Sequence, residues 1–338
     1  MRGKKLLVIA LVFVMVLSLA ACGGRPGAGG ADGEEFTLRI GHVIDETAPT
    51  HRGALVFAEY VERESGGRIS VEIFPNSLLG GDMALVEGVQ LGTVEMVLPA
   101  MTVLTNIDPR FGIGDMPFLW TSAQSGFQAF DNELGAYLDQ VIMDEVGAVN
   151  LGYLFNSVRA LSNSVRPVTT IDDMQGLNIR IMESPVYIDM FETMGANVTP
   201  MAFGEVFTAL QQGVIDGQDN GAPLTYSMRF FEVQDYFTEL GHAMSFLTIL
   251  MNTDFYNSLP ADLREIIHRA ALVFVEAQRQ YQLEERGIAL EAMEAAGVTV
   301  SQITPAEHAR FVQAVQGTYE RFSDTIPPEL VALATMYN

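Results

Sequence analysis

Residues 176–220 read GLNIRIMESPVYIDMFETMGANVTPMAFGEVFTALQQGVIDGQDN. Leu177, Ile179 and Ile181 alternate, which predicts a short strand. Arg180 falls between them, so its side chain points away from the face that they pack. A helix is expected over roughly Pro185 to Met194, ended by Gly195, and Asn197 to Pro200 is extended. A second helix runs from about Phe203 to Gln212 and stops at Gly213, and Val214-Ile215 begins another strand. Strand, helix, strand, helix, strand with short turns implies parallel strands joined by right-handed crossovers. In open sheets of this kind ligands sit beyond the carboxyl ends of the strands. Arg180 and Asn220 both lie at or near strand ends, where a guanidinium offers a planar pair of donors matched to a carboxylate. The alternative reading of Arg180 is a surface arginine or a structural ion pair.

A second region has the same architecture without repeating the sequence. Phe36 to Gly41 (FTLRIG) alternates like a first strand, and helical spacing runs from about Ala48 to Glu64 with Leu55, Ala58 and Val61 on one face. Ile69 to Phe74 is a second strand. A helix over Met83 to Leu91 has Asp82 as its expected cap, and Val94 to Leu98 is a third strand. Gly80-Gly81-Asp82 lacks the Lys and Ser/Thr of a phosphate loop, and GIGDMPFLW (112–120) lacks the third glycine of a dinucleotide fingerprint. Residues 123–147 read as a helix pair and Asn150 to Phe155 as a strand. Asp172-Asp173 sits at the start of a short helical turn, where negative charge is favoured. Thr225 to Tyr236 reads as a helix, Ala243 to Met251 as a strand, and Asn257 to Gly297 as the longest helical pattern. Val298 to Ser301 is a last strand before two short helices.

About 300 folded residues exceed one typical core and imply two lobes of α/β type. Arg2, Lys4 and Lys5 precede an apolar run, Leu6 to Leu17, which is shorter than the ~20 residues of a membrane span. The run ends in Leu19-Ala20-Ala21-Cys22, the form of a lipoprotein signal. Cys22 is the only cysteine, so cleavage before it and lipidation of its sulfur leave no disulfide. Lipid at Cys22 anchors without spanning, and Gly23 to Glu35 is composed like a flexible tether. The formal net charge is −23, and loss of the three cations Arg2, Lys4 and Lys5 with the signal lowers it to −26. Nucleic acid and anionic lipid are therefore poor partners for the body of the protein. An anionic ligand meets repulsion at long range and needs a local positive site. The five histidines show no metal-ligand spacing, and there is no Gly-x-Ser-x-Gly elbow. No metal, cofactor or catalytic residue is expected.

GLNIRIMESPVY followed by GANVTPMAFGEVFTALQQGVIDGQDN closely resembles the solute receptors of TRAP (tripartite ATP-independent periplasmic) transporters. GHVIDETAPTHRGALVFAEYV, VEIFPNSLLGGD and LGTVEMV resemble the first lobe of the same receptors. The resemblance extends over nearly all of the chain after the signal. It implies that Arg180 makes a double salt bridge with a ligand carboxylate and that Asn220 lines the same cleft. It implies that Arg159, in FNSVRALSNSVRPV, gives the carboxylate a second cation or helps hold Arg180. By position His42, Val43, Asp82, Pro99 and Met101 face the ligand, and Phe203 forms an apolar wall. Read alone, His42 is more readily a satisfied buried histidine. One departure bears on the cleft: the family usually has proline after the asparagine, whereas Gly221-Ala222-Pro223 follows here.

The fold so implied is α/β and two-lobed, like the periplasmic binding proteins, with a long helix spanning both lobes as a backbone for hinge closure. The expected division is a lipoprotein signal over 1–21, a tether over 22–35, one lobe over 36–156 plus about 246–285, and the other over 157–245 plus about 286–338. The implied function is an extracytoplasmic, lipid-anchored receptor that captures a small carboxylate and delivers it to a membrane permease of small and large subunits. Membrane contact is through the lipid only. A C4-dicarboxylate is favoured by the wording of MESPVYIDMF, with a sugar acid or keto acid close behind. The alternatives are a secreted esterase or glycosidase, and a receptor serving an ATP-driven transporter or chemotaxis.

Overall fold

Phe36–Gly41 forms strand β1, with Leu38 and Ile40 wholly buried on its inner face. It pairs in parallel with β2 (Ile69–Phe74) and β3 (Met96–Val97). The computed structural model describes residues 34–338, so the signal stretch 1–21, Cys22 and nearly all of the tether lie outside the described residues. After β3 the chain runs through β4 (Ala148–Val158), β5 (Leu161–Asn163), β6 (Asn178–Ile181), β7 (Asn197–Pro200), β8 (Gly217–Asp219) and β9 (Tyr236–Glu239). β10 (Met244–Asn252) and β11 (Thr299–Gln302) follow. Two sheets result, one in the order β2-β1-β3-β10-β4 and the other β11-β9-β5-β8-β6-β7. In the second, β6 lies parallel between β7 and β8, the arrangement expected from the alternation around Arg180. Helices pack on both sheets, which makes the fold α/β and two-lobed.

The helix Ala261–Ala295 has 35 residues and is therefore about 52 Å long. Ile267, Ala270 and Phe274 pack into the core of the first sheet, whereas Ala289 and Met293 pack with Phe237 and Val298 of the second. Gln278 fixes its register. Its side-chain carbonyl accepts from the Phe155 N–H (3.0 Å) and its NH2 donates to the Phe155 carbonyl (2.7 Å). Gly53 lets the helix Pro49–Glu64 approach closely, since a Cβ there would stand 2.7 Å from the Phe274 ring.

Some expectations shift. In the helix Pro49–Glu64 the buried stripe is Ala54, Phe57 and Val61, while Leu55 is 51% exposed. Asp82 is the first residue of the helix Asp82–Leu91 and not its cap, which is Gly81. The strand predicted at Val214-Ile215 begins later, at Gly217, and Val214 is 61% exposed. The helix predicted to Tyr236 stops at Ser227, because Arg229 takes a left-handed backbone (φ 59°) that no helix can continue through. Phe230–Val233 then form a separate 3-10 turn, and β9 begins at Tyr236. At the other end, Pro260 separates a short helix, Thr253–Ser258, from the long one. The helix Pro305–Arg321 is 17 residues long and not short.

The long helix carries the chain from the first sheet to the second between β10 and β11. Two short crossings make the other connections, through Arg159-Ala160 after β4 and through Leu240–Ala243 after β9. The short crossings are hydrogen-bonded to each other: Arg159 N–H donates to the Ala243 carbonyl (2.8 Å) and Gly241 N–H to the Arg159 carbonyl (3.0 Å). Beside them the Arg159 guanidinium grips Asp219 bidentately, at 2.9 and 2.8 Å, and also donates to the Asp219 main-chain carbonyl. His242 Nε2 reaches the same carboxylate at 3.1 Å. All three side chains are fully buried. Burial alone would raise the Asp219 carboxyl, but the Arg159 guanidinium and the His242 ring outweigh it and hold it well below the ordinary range. A second buried acid, Asp115, accepts from the Thr102 and Ser184 hydroxyls, each at 2.7 Å. Burial pushes it up to about 7, against the pull of those hydroxyls and Arg159.

The two acids act with opposite sign on stability. The depressed Asp219 contributes stability that is present above the ordinary aspartate value and is lost as pH falls through its lower folded value. The raised Asp115 contributes in the other direction, losing stability as pH rises toward 7. Removing one partner of a buried pair costs about 3–5 kcal/mol. Asp219→Asn is therefore expected to lower the melting temperature most at pH 7, with the gap to the parent narrowing below about pH 4. Thermal denaturation of both proteins between pH 3 and 8 checks this, and a gap independent of pH would show that the pair is not ionic.

Candidate functional site

Ile179 and Ile181 are wholly buried in β6, and Arg180 between them is only 2% exposed. The backbone of Arg180 is held in register with Thr199 on one side and Gln218 on the other. Its guanidinium is therefore placed by the sheet and not by a flexible loop. Nε and Nη2 both donate to the Met201 carbonyl, at 2.9 and 2.6 Å. Nη1 is buried without a hydrogen-bond partner. The Phe203 ring lies 5.9 Å from the guanidinium carbon, within range of a cation–π contact. Burial, and then the neighbouring Arg159, lower the Arg180 pKa to about 10, while Asp219, Asp82 and Glu183 pull the other way. The side chain stays charged at neutral pH with one carbonyl as its only acceptor among the described residues.

Arg180 lines a cavity of about 120 Å³ between the sheets. Of the residues singled out in the sequence, Asn220, Phe203, Asp82 and Val43 line it too. Asn220 is braced twice: its main-chain N–H donates to Ala160 (3.1 Å) and its amide to Gln218 Oε1 (2.5 Å). Asp82 is half-buried and accepts from the Ala100 N–H at 3.3 Å. Burial raises it to about 6, opposed by that N–H and by Arg180.

The Gly221-Ala222-Pro223 departure has a local cause. A Cβ at residue 221 would stand 2.3 Å from the Ser157 Cβ and 2.8 Å from the Val158 carbonyl, so only glycine lets this loop press on β4. Pro223 then falls in the first turn of the helix Ala222–Ser227, where a missing N–H does no harm.

The other nominated residues stand outside the cavity lining. His42 is buried with Nδ1 accepting from the Ile44 N–H (3.3 Å) and Nε2 facing His51 Nδ1 (3.1 Å). Burial and His51 push its pKa down to about 3, so it is a neutral structural ring. The Pro99 carbonyl accepts from the Thr248 N–H (3.0 Å), and Met101 is buried with its methyl against Gly114. Instead Ala100, just before the turn Met101–Asn106, and Val103 within it line the cavity. Arg159 is occupied by Asp219, with Nη1 left unpartnered. It lines a separate, larger pocket of about 620 Å³ beside the crossings, whose other cation, Arg286, is already paired with Glu239.

Sequence reasoning missed Met201, Asn156, Leu224 and Leu247 in the site, and Asp219 behind it. Asp219 stands in the DGQDN run itself, one residue before Asn220. Met201 acts through its main chain, which leaves no side-chain signal. Among the described residues no group of three or more His, Cys, Asp or Glu could hold a metal, and no helix is long and apolar enough to cross a membrane.

The model of bacterial extracellular solute-binding protein family 7 (DctP) matches residues 40–325. A solute-binding protein of Roseobacter denitrificans is 32% identical over 294 residues, covering 86% of this chain and 90% of that one. The sugar acid binding protein of Advenella mimigardefordensis, solved in complex with galactonate, superposes with a TM-score of 0.88 at 27% identity, covering 91% of this chain and all of that one. A TRAP periplasmic solute binding protein of Sulfurospirillum deleyianum with bound succinate gives 0.86 at 28% identity over 90% of this chain and all of that one. A chain matched over so much of its length, with a buried cation lining a cavity between two α/β lobes, belongs to the DctP-type solute receptors of TRAP transporters.

Proposed function

We propose that this receptor captures an organic acid by pairing its carboxylate with Arg180, and hands it to the small and large subunits of a TRAP permease. The observation that carries the reading is the buried Arg180 guanidinium, which lines the cavity and, among the described residues, has no partner at Nη1 and a single carbonyl for an acceptor. A buried cation without a counter-ion is unfavourable, and a bidentate carboxylate is the partner that its planar fork fits best. Asn220 adds a hydrogen bond and Phe203 an apolar wall. Arg159, already neutralised by Asp219, acts mainly by keeping that carboxylate away from Arg180. The relatives solved with galactonate and with succinate show that acids of different size are bound in this family. The wording of residues 182–191 favours a C4-dicarboxylate, with sugar acids and keto acids as alternatives. The protein is anchored by lipid on Cys22 at the outer side of the cytoplasmic membrane or in the periplasm, its body held off by the tether.

Loss of one member of a buried charged pair costs about 2–5 kcal/mol. Arg180→Ala is thus expected to weaken binding of the acid by roughly 30-fold or more while leaving the fold intact. Arg180→Lys keeps the charge without the fork and recovers only part of the loss. Titration calorimetry on a panel of acids, with circular dichroism as the folding control, reads the result. A folded Arg180→Ala protein that binds as tightly as the parent refutes the clamp.

For the anchor, Cys22→Ser is expected to release the protein from the membrane fraction or leave it unprocessed. Unchanged mass and fractionation in that variant would exclude lipidation.

A further inference from the structure

The lining of the Arg180 cavity is unequal in charge. Among the described residues Arg180 is its only cation, and two acids, Asp82 and Glu183, share it. Glu183 is exposed and stands at the rim, whereas Asp82 is half-buried in the wall and has only the Ala100 N–H as a hydrogen-bond partner among the described residues. The two asparagines bring no positive charge, and each already spends amide hydrogen on a protein acceptor. Asn156 donates to Ser245 (3.3 Å) and Asn220 to Gln218 (2.5 Å). Arg159, the neighbouring guanidinium, lies outside the lining and is neutralised by Asp219. Most of the remaining wall is apolar, with Val43, Met182, Phe203, Leu224 and Leu247 from both lobes. The volume, about 120 Å³, is of the order of the ~150 Å³ cavity that holds one benzene ring.

A ligand with one carboxylate places it on Arg180 and its body on the apolar wall. A second carboxylate in so small a space has no cation to meet and stands near Asp82, where like charges repel in a medium of low dielectric. A six-carbon sugar acid leaves most of its hydroxyls against aliphatic carbon without partners. We infer that the ligand is a short monocarboxylate with an uncharged, mainly apolar body of about four or five carbons, and that Asp82 is the residue that excludes dicarboxylates. This rests on the reading of Arg180 as the carboxylate clamp, and it departs from the dicarboxylate favoured by the sequence wording.

The test is titration calorimetry at pH 8, where Asp82 is ionised, with butyrate, 3-methylbutyrate, succinate and D-galactonate as probes. Butyrate and succinate have the same carbon number and differ by one carboxylate, so their ratio isolates the second charge. The expected result is at least tenfold tighter binding of one or both monocarboxylates than of succinate, with galactonate weaker still. Asp82→Asn is expected to narrow the ratio by improving succinate. Asp82→Ser, which also removes the charge, serves if the asparagine variant is unfolded by circular dichroism. Succinate or galactonate binding more tightly than both monocarboxylates, or a ratio unmoved in the folded variants, overturns the inference. If that tighter binding is lost in Arg180→Ala, the clamp stands and only the ligand class falls. If none of the four acids binds, the inference falls, and the clamp is decided by the Arg180→Ala titration with the wider panel that includes keto acids.

Discussion

Burying the Arg180 guanidinium beside one carbonyl oxygen is unfavourable by itself, and much of the second lobe keeps it from finding a better partner. β6 is flanked on both sides, so the residue cannot shift register without breaking two ladders. Ile179 and Ile181 pin the same strand into the core. The strongest competitor among the nearby acids is Asp219, which contributes to the field at Arg180. It is held by two guanidinium hydrogen bonds from Arg159 and by His242. Saturating one carboxylate with one arginine leaves the other arginine open. The two arginines therefore divide the work: one closes a structural pair, and the other holds an unfilled valence that an external carboxylate can meet.

The same pair ties the site to the hinge. Arg159 belongs to one of the two short crossings between the lobes, and its main chain bonds both ways to the other. Gly241, in that second crossing, takes a left-handed backbone (φ 66°) open to glycine at little cost. Hinges of closing proteins are such short stretches that absorb backbone rotation. The long helix, bonded to β4 through Gln278 and packed on the second sheet through Ala289 and Met293, limits the directions in which the lobes can part. A ligand favours the closed form only by contacts unavailable in the open one. The lining supplies them from both sides: Val43, Asp82 and Leu247 from the first lobe, Arg180, Phe203 and Asn220 from the second.

The regular part of this design was legible in the sequence because it rests on period and punctuation. β1, β2, β6, β7 and the helices between them follow alternation, helical spacing and stops at Gly92 and Gly195. The failures have local causes. The run 225–236 carries helical spacing, yet the left-handed Arg229 divides it, and no composition rule marks a non-glycine residue for that conformation. β5 has three residues, too few for a period to show. In the site, the residues that line the cavity through side chains near strand ends, Arg180 and Asn220, were readable. Those set by the turn after β3 slipped by one or two positions, so that Ala100 and Val103 stand where Pro99 and Met101 were expected. A single inserted turn rotates which side chain faces inward, and the sequence does not specify that rotation. Asp219, which fixes Arg159, comes from 60 positions away along the chain, and His242, which braces Asp219, from 23 positions further on, so they meet only through the sheet order.

The surface charge and the interior cation work over different distances. A net charge of −23 repels anions, but salt at physiological strength screens exposed charge within about 8 Å. An approaching acid feels the surface only at close range, and feels Arg180 only after entering the gap between the lobes. Under the proposed clamp, a guanidinium–carboxylate pair there would gain strength as water is excluded. Each extra negative charge on the ligand raises the repulsion on approach and, inside, has Asp82 and Glu183 to face instead of a second free cation. On the proposed reading, surface and cavity select in the same direction, toward the ligand that carries the least charge compatible with filling Arg180.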